Sequence, residues 1–165
     1  MDKTAYDWSG FSLRIGISAD LTTIFNAWTS QEELEKWFLA KAAFYDSNGI
    51  ARPRDAKIAK GDSYIWKWHV ADDIEKGEIL AMNESNALSF SFGVCHVFVS
   101  LTELAKETIV EIEQSNIPLD EASIVSLHLG CMQGWTFYLA NLKSMLEGGI
   151  DLRNKNEKIK NVIST

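Results

Sequence analysis

The stretch GCMQGWTFYLANLKSML, Gly130–Leu146, carries the helical pattern around which the rest of the fold can be predicted. Its apolar residues recur at helical spacing, namely Trp135, Leu139, Leu142 and Leu146. Two glycines, Gly130 and Gly134, interrupt the segment, although a glycine inside a helix costs about 1 kcal/mol relative to alanine. Two explanations are open: the glycines let the helix backbone approach a sheet closely, or they leave space beside Trp135.

The predicted helix is longer than this stretch. It begins near Asp120–Ser123 and runs to about Glu147, where the pair Gly148–Gly149 ends it. The following residues, 151–165, have little pattern and are expected to form a flexible tail that frays.

Six segments upstream of this helix alternate apolar and polar residues, which is the pattern of half-buried β-strands. They cover residues 41–46, 63–70, 73–82, 86–93, 96–104 and 107–115. In the third of these segments, Gly77, Ile79 and Ala81 are predicted to share one face. Because short turn signals separate the strands from residue 63 onwards, successive strands should pair antiparallel in a meander.

The N-terminal part adds another strand and two short helices. Residues 11–19 alternate as a strand, and Asp20 stands where the cap of the first helix is expected. Ser30 followed by Glu33 is a capping-box pattern for the second helix. A loop at 47–62 carries four basic side chains, Arg52, Arg54, Lys57 and Lys60. Long loops are usually functional or mobile, and a solvated connector is the plain alternative.

This order of elements predicts an α+β fold in one domain of 165 residues, with a core at about residues 10–150. A curved antiparallel sheet wrapped around the long helix brings the two apolar faces together. Such an arrangement can leave a gap wherever side chains do not fill the space between helix and sheet.

The composition argues against several classes of partner. With a net charge of −7, the chain gains little from attraction to phosphates, so no nucleic-acid partner is expected. No apolar run is long enough to span a bilayer, and the N-terminus lacks the apolar segment of a secretory signal. Two cysteines, Cys95 and Cys131, are too few for a disulfide framework. We therefore expect a cytoplasmic monomer that does not associate with membranes.

Four motifs stand in order along the chain: IFNAWTSQEELEKWF (24–38), KGDSYIWKW (60–68), EKGEILAMNESNALSFSF (75–92), and QGWTFYLANLKSMLE (133–147) followed by DLR (151–153). Together they resemble the START-like, or SRPBCC, superfamily, and most closely its branch related to the C-terminal domain of the activator of the Hsp90 ATPase. The resemblance implies the helix-grip fold. It also implies an apolar cavity for a hydrophobic molecule, with the indole of the Gly-Trp pair at its base.

From this resemblance we expect a site for a small hydrophobic ligand, such as a lipid, sterol, polyketide or flavonoid-like molecule, between sheet and helix. Its expected wall consists of six apolar side chains: Trp66, Trp68, Phe90, Phe92, Met132 and Trp135. His128 lies seven residues before Trp135, on nearly the same helical face, and could hydrogen-bond a ligand carbonyl or hydroxyl. The alternatives are that His128 is a satisfied core residue and that Trp135 only fills the core.

Two other functional classes stay open. A polyketide cyclase-like enzyme would need at least two inward ionisable groups, and only His128 is a candidate, so no catalytic residue is assigned. The three histidines, His69, His96 and His128, lack metal-ligand spacing, so neither a metal nor another cofactor is expected. A chaperone accessory or stress-response role rests on the resemblance to the Hsp90 activator, and analogy of fold is weak support for function.

Overall fold

The computed structural model describes residues 5–163 and is built on a seven-stranded antiparallel sheet. The strands are β1 (Phe11–Ile17), β2 (Lys41–Tyr45), β3 (Ser63–Lys67), β4 (Ile74–Met82), β5 (Ala87–Phe92), β6 (Cys95–Leu104) and β7 (Glu107–Ser115). Their order across the sheet is β1-β7-β6-β5-β4-β3-β2, so the chain meanders from β2 to β7 and β1 closes against β7. The predicted antiparallel meander is confirmed.

Two short helices follow β1, namely α1 (Leu21–Trp28) and α2 (Gln31–Trp37). The carboxylate of Asp20 accepts a hydrogen bond from the backbone N–H of Thr23 at 2.8 Å. The hydroxyl of Ser30 likewise accepts one from the N–H of Glu33 at 3.3 Å. Both predicted caps therefore form, and each satisfies an N–H group that the first turn of a helix leaves unpaired.

The C-terminal helix has three successive parts: α3 (Glu121–Ser123), a π-helical segment (Ile124–Gly130) and α4 (Cys131–Leu146). Asp120 caps its start by accepting from the N–H of Ser123 at 3.0 Å, and Gly148, with a φ of 81°, follows its end. The start and the glycine stop agree with the prediction, whereas the π-helical segment was not expected. None of the helices within residues 5–163 is long and apolar enough to cross a membrane.

The apolar faces of the sheet and the C-terminal helix meet in a common core. Seven residues of the sheet are completely buried: Ile17, Ile79, Phe90, Cys95, Val97, Val110 and Ile112. Three apolar residues of α4 expose 3% of their surface or less: Trp135, Leu139 and Leu142. The α1 and α2 helices add Trp28 and Trp37 to the same core. The curved sheet around a long helix, preceded by two short helices, is the helix-grip fold that was predicted.

A β-bulge in β4 corrects one predicted face. The register against β5 shifts between Ile79 and Ala81. Because a bulge inserts an extra residue into one strand, the in–out alternation reverses beyond it. Ala81 is therefore exposed, and Met82 packs against the core in its place.

The loop at 47–62 is largely exposed, but it is anchored to the body of the protein at Arg52, Ile58 and Asp62. Arg52 forms an ion pair with the buried carboxylate of Asp62, in which one N–O distance is 2.8 Å. Ile58 exposes only 2% of its surface, and its backbone N–H donates to the carbonyl of Thr29 at 2.9 Å. These contacts anchor the long connection between β2 and β3.

The start of the C-terminal tail is also anchored, which corrects the expectation that it frays from residue 151. The side chain of Arg153 is buried and donates to the carbonyls of Leu39 at 3.0 Å and Lys36 at 2.7 Å. The Lys36 carbonyl lies in the last turn of α2, where a helix leaves acceptors unpaired, and Leu39 follows the end of that helix. Arg153 also pairs with Asp151 at 2.7 Å. The tail is therefore fixed to α2 before it continues.

Candidate functional site

A cavity of about 440 Å³ lies between the C-terminal helix and the ends of β3 and β5. Five aromatic side chains line it: Phe38, Trp68, Phe92, Trp135 and Tyr138. The other lining residues are Ala71, Asp73, Ser126, Gly130, Cys131, Gly134 and Ile163. The wall is thus mainly aromatic with a few polar groups, which is the usual character of a small-molecule site.

The two glycines of the helix create part of this space. A β-carbon added at Gly134 would meet no atom within 4 Å, and one at Gly130 would meet only the carbonyl of Val125, at 3.5 Å. Neither position presses against the sheet, so close packing of the backbone does not explain the glycines. Both residues line the cavity. The second explanation, that the glycines leave space beside Trp135, therefore fits the structure.

Phe38 is the centre of the aromatic wall. Its ring stacks on Trp135 at 5.3 Å between centroids, and it meets Tyr138 and Trp68 edge-on at 5.0 and 5.6 Å. Such offset and edge-to-face pairs contribute about 0.5–1.5 kcal/mol each beyond the burial of their area. The wall is therefore held by mutual ring contacts before any ligand is present.

Trp135 both fills the core and forms a surface of the cavity. It exposes 3% of its surface, and its indole N–H donates to the side-chain oxygen of Gln114 at 2.9 Å. The Gln114 amide in turn donates to the carbonyl of Leu127 at 3.0 Å. This chain of bonds therefore fixes the orientation of the indole at the cavity wall.

Three of the predicted site residues, Trp68, Phe92 and Trp135, lie on the cavity wall. Trp66 and Phe90 were expected there but lie in the filled core, where their rings meet edge-on at 5.2 Å. Met132 also packs against the core and is not part of the wall. The inward face of the sheet was thus correctly identified, but only its end borders the cavity.

His128 does not face the cavity, which corrects the expectation that it could contact a ligand. It is completely buried, its Nε2 atom is 2.8 Å from the hydroxyl of Tyr6, and its Nδ1 atom is 3.0 Å from the carbonyl of Trp8. A carbonyl only accepts, so Nδ1 donates there and both ring nitrogens are occupied. The π-helical segment holds more residues per turn than an α-helix, so a spacing of seven no longer places His128 beside Trp135. His128 is a satisfied core histidine.

Several residues of the cavity wall were not predicted from the sequence, although the spacing of some of them could have indicated their position. Ser126, Gly130, Gly134 and Tyr138 follow one another at a spacing of four residues, which marks a single helical stripe of mostly small side chains. Phe38 follows Leu34 at helical spacing, a pattern that indicates a buried side chain but does not distinguish a cavity wall from a filled core. Ala71, Asp73 and Ile163 come from a connection and from the tail, where no periodic pattern predicts the direction of a side chain.

Two ionisable groups of the wall stay protonated at neutral pH. Burial raises the pKa of Tyr138 to about 12, and it also raises the pKa of the Cys131 thiol. Each can therefore offer a hydrogen to a ligand without adding charge. Asp73 is the remaining acidic group that lines the cavity. Within the described residues, no group of histidine, cysteine and acidic side chains is arranged to hold a metal ion.

Two buried indole N–H groups, those of Trp28 and Trp66, have no hydrogen-bond partner among the described residues. Both indoles neighbour Phe38, with centroid distances of 6.5 and 5.4 Å. An unpaired buried donor costs about 1–3 kcal/mol. Two unpaired hydrogen-bond donors therefore lie directly behind the cavity wall.

A larger recess of about 600 Å³ lies elsewhere, at the β6–β7 hairpin. Its lining combines four charged residues, Asp20, Glu103, Lys106 and Glu107, with Leu104 and two alanines. It has no aromatic wall, so it offers a hydrophobic molecule little apolar surface. The cavity beside Trp135 is the better candidate site.

Solved structures with the same fold are similar to this chain at low sequence identity. The protein SSP2350 from Staphylococcus saprophyticus is 17% identical, with a TM-score of 0.69, over 87% of this chain and 96% of its own. The Aha1 dimer from Colwellia psychrerythraea is 17% identical, with a TM-score of 0.67, over 85% and 97%. DynU16, described as a protein of the dynemicin biosynthetic locus, is 20% identical, with a TM-score of 0.67, over 89% of this chain and 50% of its own.

At these identities the solved structures establish the fold alone. No curated protein is significantly similar to this chain in sequence. The family model described as Activator of Hsp90 ATPase homolog 1-like protein, however, matches residues 18–147, which is most of the chain. This span includes both glycines and all five aromatic residues of the cavity wall. The chain therefore belongs to the Activator of Hsp90 ATPase homolog 1-like family.

Proposed function

We propose that the protein binds a small hydrophobic molecule in the cavity beside Trp135. The observation that carries this proposal is the open space that Gly130 and Gly134 leave against an aromatic wall. A helix that only had to fill a core would gain stability from alanine at both positions. The glycines are therefore best explained by the molecule that the space admits.

The dimensions of the cavity suit a ligand of moderate size. Its volume of about 440 Å³ falls within the range of small-molecule sites. A ligand that buries on the order of 500 Å² of apolar surface gains about 12 kcal/mol, and association costs at least about 4 kcal/mol. The remainder of at most about 8 kcal/mol corresponds to micromolar affinity or weaker. Flat aromatic molecules and lipids with a slender apolar body are the classes that we favour.

Binding is better supported than catalysis. Cys131 and Tyr138 keep their protons at neutral pH, so neither serves readily as a general base. They are suited to donating hydrogen bonds to a carbonyl or hydroxyl of the ligand. The similarity to DynU16, a protein of a biosynthetic locus, supports a natural product as one class of ligand.

We also propose that the protein works in a reducing, cytoplasmic setting as a monomer. Cys95 and Cys131 are both free thiols, which is the usual state of cysteine in the cytosol. The Colwellia relative is a dimer, so the oligomeric state has to be measured. Light scattering of the purified protein at working concentration distinguishes the two states.

The test of ligand binding uses two leucine substitutions on the same helix. Gly134→Leu places a side chain into the cavity, whereas Ala140→Leu adds the same side chain at an exposed position outside it. Tryptophan emission is followed while flavonoids, fatty acids and sterols are titrated. Native mass spectrometry of the purified protein identifies any molecule that co-purifies.

We expect at least one class to saturate with the unmodified protein and with Ala140→Leu, and to bind Gly134→Leu at least tenfold more weakly. Equal affinity of folded Gly134→Leu would place the ligand elsewhere and overturn the proposed site. Absence of saturation by all three classes, together with no co-purified molecule, would refute hydrophobic ligand binding of this kind.

A chaperone accessory role is a second candidate, favoured by the family description and by the similarity to the Colwellia Aha1 protein. It would use an outer surface, so Gly134→Leu should leave it intact. Stimulation of an Hsp90-type ATPase by the unmodified protein and by this variant alike would favour this second function. A lack of stimulation by either protein would exclude it.

A further inference from the structure

A second recess, of about 520 Å³, adjoins the cavity at the edge of the sheet. We call it the lysine recess, after the basic side chains that line it: Lys41, Lys67 and Lys160. Trp68 and Ala71 line both the cavity and the lysine recess, so the two spaces are neighbours across these residues.

Two of these lysines face each other across neighbouring strands. Lys41 of β2 stands directly opposite Lys67 of β3, and both side chains are exposed. Like charges in this arrangement destabilise a sheet. Neither ammonium group, nor that of Lys160, forms an ion pair within residues 5–163. No carboxylate of these residues therefore lies within ion-pair distance of the two opposed ammonium groups.

The surroundings of the lysine recess are also more basic than the rest of the protein. Asp72 and Glu157 line it, so three lysines stand against two carboxylates in a chain whose net charge is −7. His69 lies in the same lining, and burial together with the positive charges of Arg153 and Lys155 lowers its pKa. An anion that enters this recess would meet unpaired positive charge.

The segment between the two spaces is conformationally strained. Val70, which lies between Trp68 and Ala71, has a φ of 61°. A β-branched residue in the left-handed region is an outlier that costs on the order of 1–3 kcal/mol, and such strain concentrates at functional sites. A molecule that occupies both the cavity and the lysine recess would have to pass over this turn.

We propose that the lysine recess binds the carboxylate head of an amphiphilic acid whose apolar body occupies the neighbouring cavity. This inference rests on the proposed ligand-binding function and narrows its ligand to long-chain or aromatic carboxylic acids. The carboxylate neutralises the opposed Lys41 and Lys67, while Trp68 and Ala71 contact the part of the ligand between head and body. Exposed ion pairs are individually weak, so we expect a preference of about three- to tenfold over a neutral analogue.

The experiment compares dodecanoate with its methyl ester, which has the same chain without the charge. Both are titrated below their aggregation limits against the unmodified protein and against a double variant, Lys41→Gln with Lys67→Gln. A matched control carries Lys76→Gln with Lys106→Gln, which removes two exposed charges outside the lysine recess. Acetate and inorganic phosphate, titrated alone, test whether the head group binds without the apolar body.

We expect dodecanoate to bind about three- to tenfold more tightly than the ester to the unmodified protein and to the control variant. In the Lys41/Lys67 variant the two ligands should bind alike, and about 0.5 M salt should reduce the preference in the unmodified protein. Acetate and phosphate should not saturate.

Three results would overturn the inference. Equal binding of acid and ester to the unmodified protein would remove the head-group site while leaving the hydrophobic cavity in place. A preference for the acid that persists in the Lys41/Lys67 variant would locate the carboxylate elsewhere. If neither dodecanoate nor the ester binds, an amphiphilic acid of this class is refuted, and saturation by a flavonoid or sterol would still preserve the proposed function.

Discussion

Replacing Gly134 by alanine should stabilise the protein, which is an unusual expectation for a residue beside a large buried side chain. The helix gains about 0.5–1 kcal/mol because alanine loses less backbone freedom on folding than glycine. The added methyl group meets no atom within 4 Å, so no steric cost opposes this gain. In a chain of this size, the change corresponds to a rise of about 1–4 °C in Tm.

Urea denaturation of the unmodified protein, Gly134→Ala and Gly77→Ala provides the measurement. Gly77 is the control, because a β-carbon there would lie 2.5 Å from the ring of Tyr64, and overpacking of this kind costs about 1–3 kcal/mol. If Gly134→Ala were destabilised like Gly77→Ala, the helix would have to pack closely at Gly134. The cavity would then be closed, and the reasoning for ligand binding would fail with it.

Two further predictions concern buried polar groups. Trp66→Phe should lower the free energy of unfolding by about 1–3 kcal/mol less than Trp37→Phe does. The reason is that the Trp37 indole donates to the carbonyl of Ala27 at 2.9 Å, whereas the Trp66 N–H has no partner within the described residues. Equal losses of unfolding free energy in chemical denaturation would mean that an acceptor satisfies Trp66. Burial alone would raise the pKa of Asp151, but hydrogen bonds from Arg153 help to hold this pKa well below its ordinary range. The ionised Asp151 carboxylate therefore stabilises the fold above the unfolded pKa of about 3.9, and this stabilisation is lost as the pH falls further. The difference in unfolding free energy between the unmodified protein and Asp151→Asn should therefore shrink below about pH 4, and a constant difference down to about pH 2 would contradict this assignment.

Local patterns were sufficient to predict most of the fold. Alternation identified each strand because one face of the sheet is buried, and the caps at Asp20 and Ser30 were predictable because they act within one turn. The bulge between Ile79 and Ala81 was not predictable, since it depends on the register between two strands rather than on either strand alone. The anchoring of Arg153 to α2 likewise depends on contacts between distant parts of the chain.

The candidate site was predicted less completely than the fold. Trp135 and Phe92 were found because alternation and helical spacing indicate which side chains point inward. These patterns do not tell a filled region from an empty one, so Trp66 was assigned to a wall when it lies in the core. His128 was misplaced because its assignment assumed regular α-helical geometry through a segment that is π-helical. The cavity exists because small residues leave space in the helix, and Gly130 and Gly134 were the clearest indication of it in the sequence.

The π-helical segment at Ile124–Gly130 has a consequence for chain length. Its wider turns accommodate about one residue more than an α-helix would need between the same end points. Deleting one residue there would restore α-helical winding and leave Trp135 and the stripe after it in register with the sheet. The His128 side of the helix would rotate away from Tyr6 and Trp8. A deletion in this segment would thus break the N-terminal contacts of His128 and displace Ser126 and Gly130 from the cavity wall, while the wall residues from Gly134 onwards would keep their places.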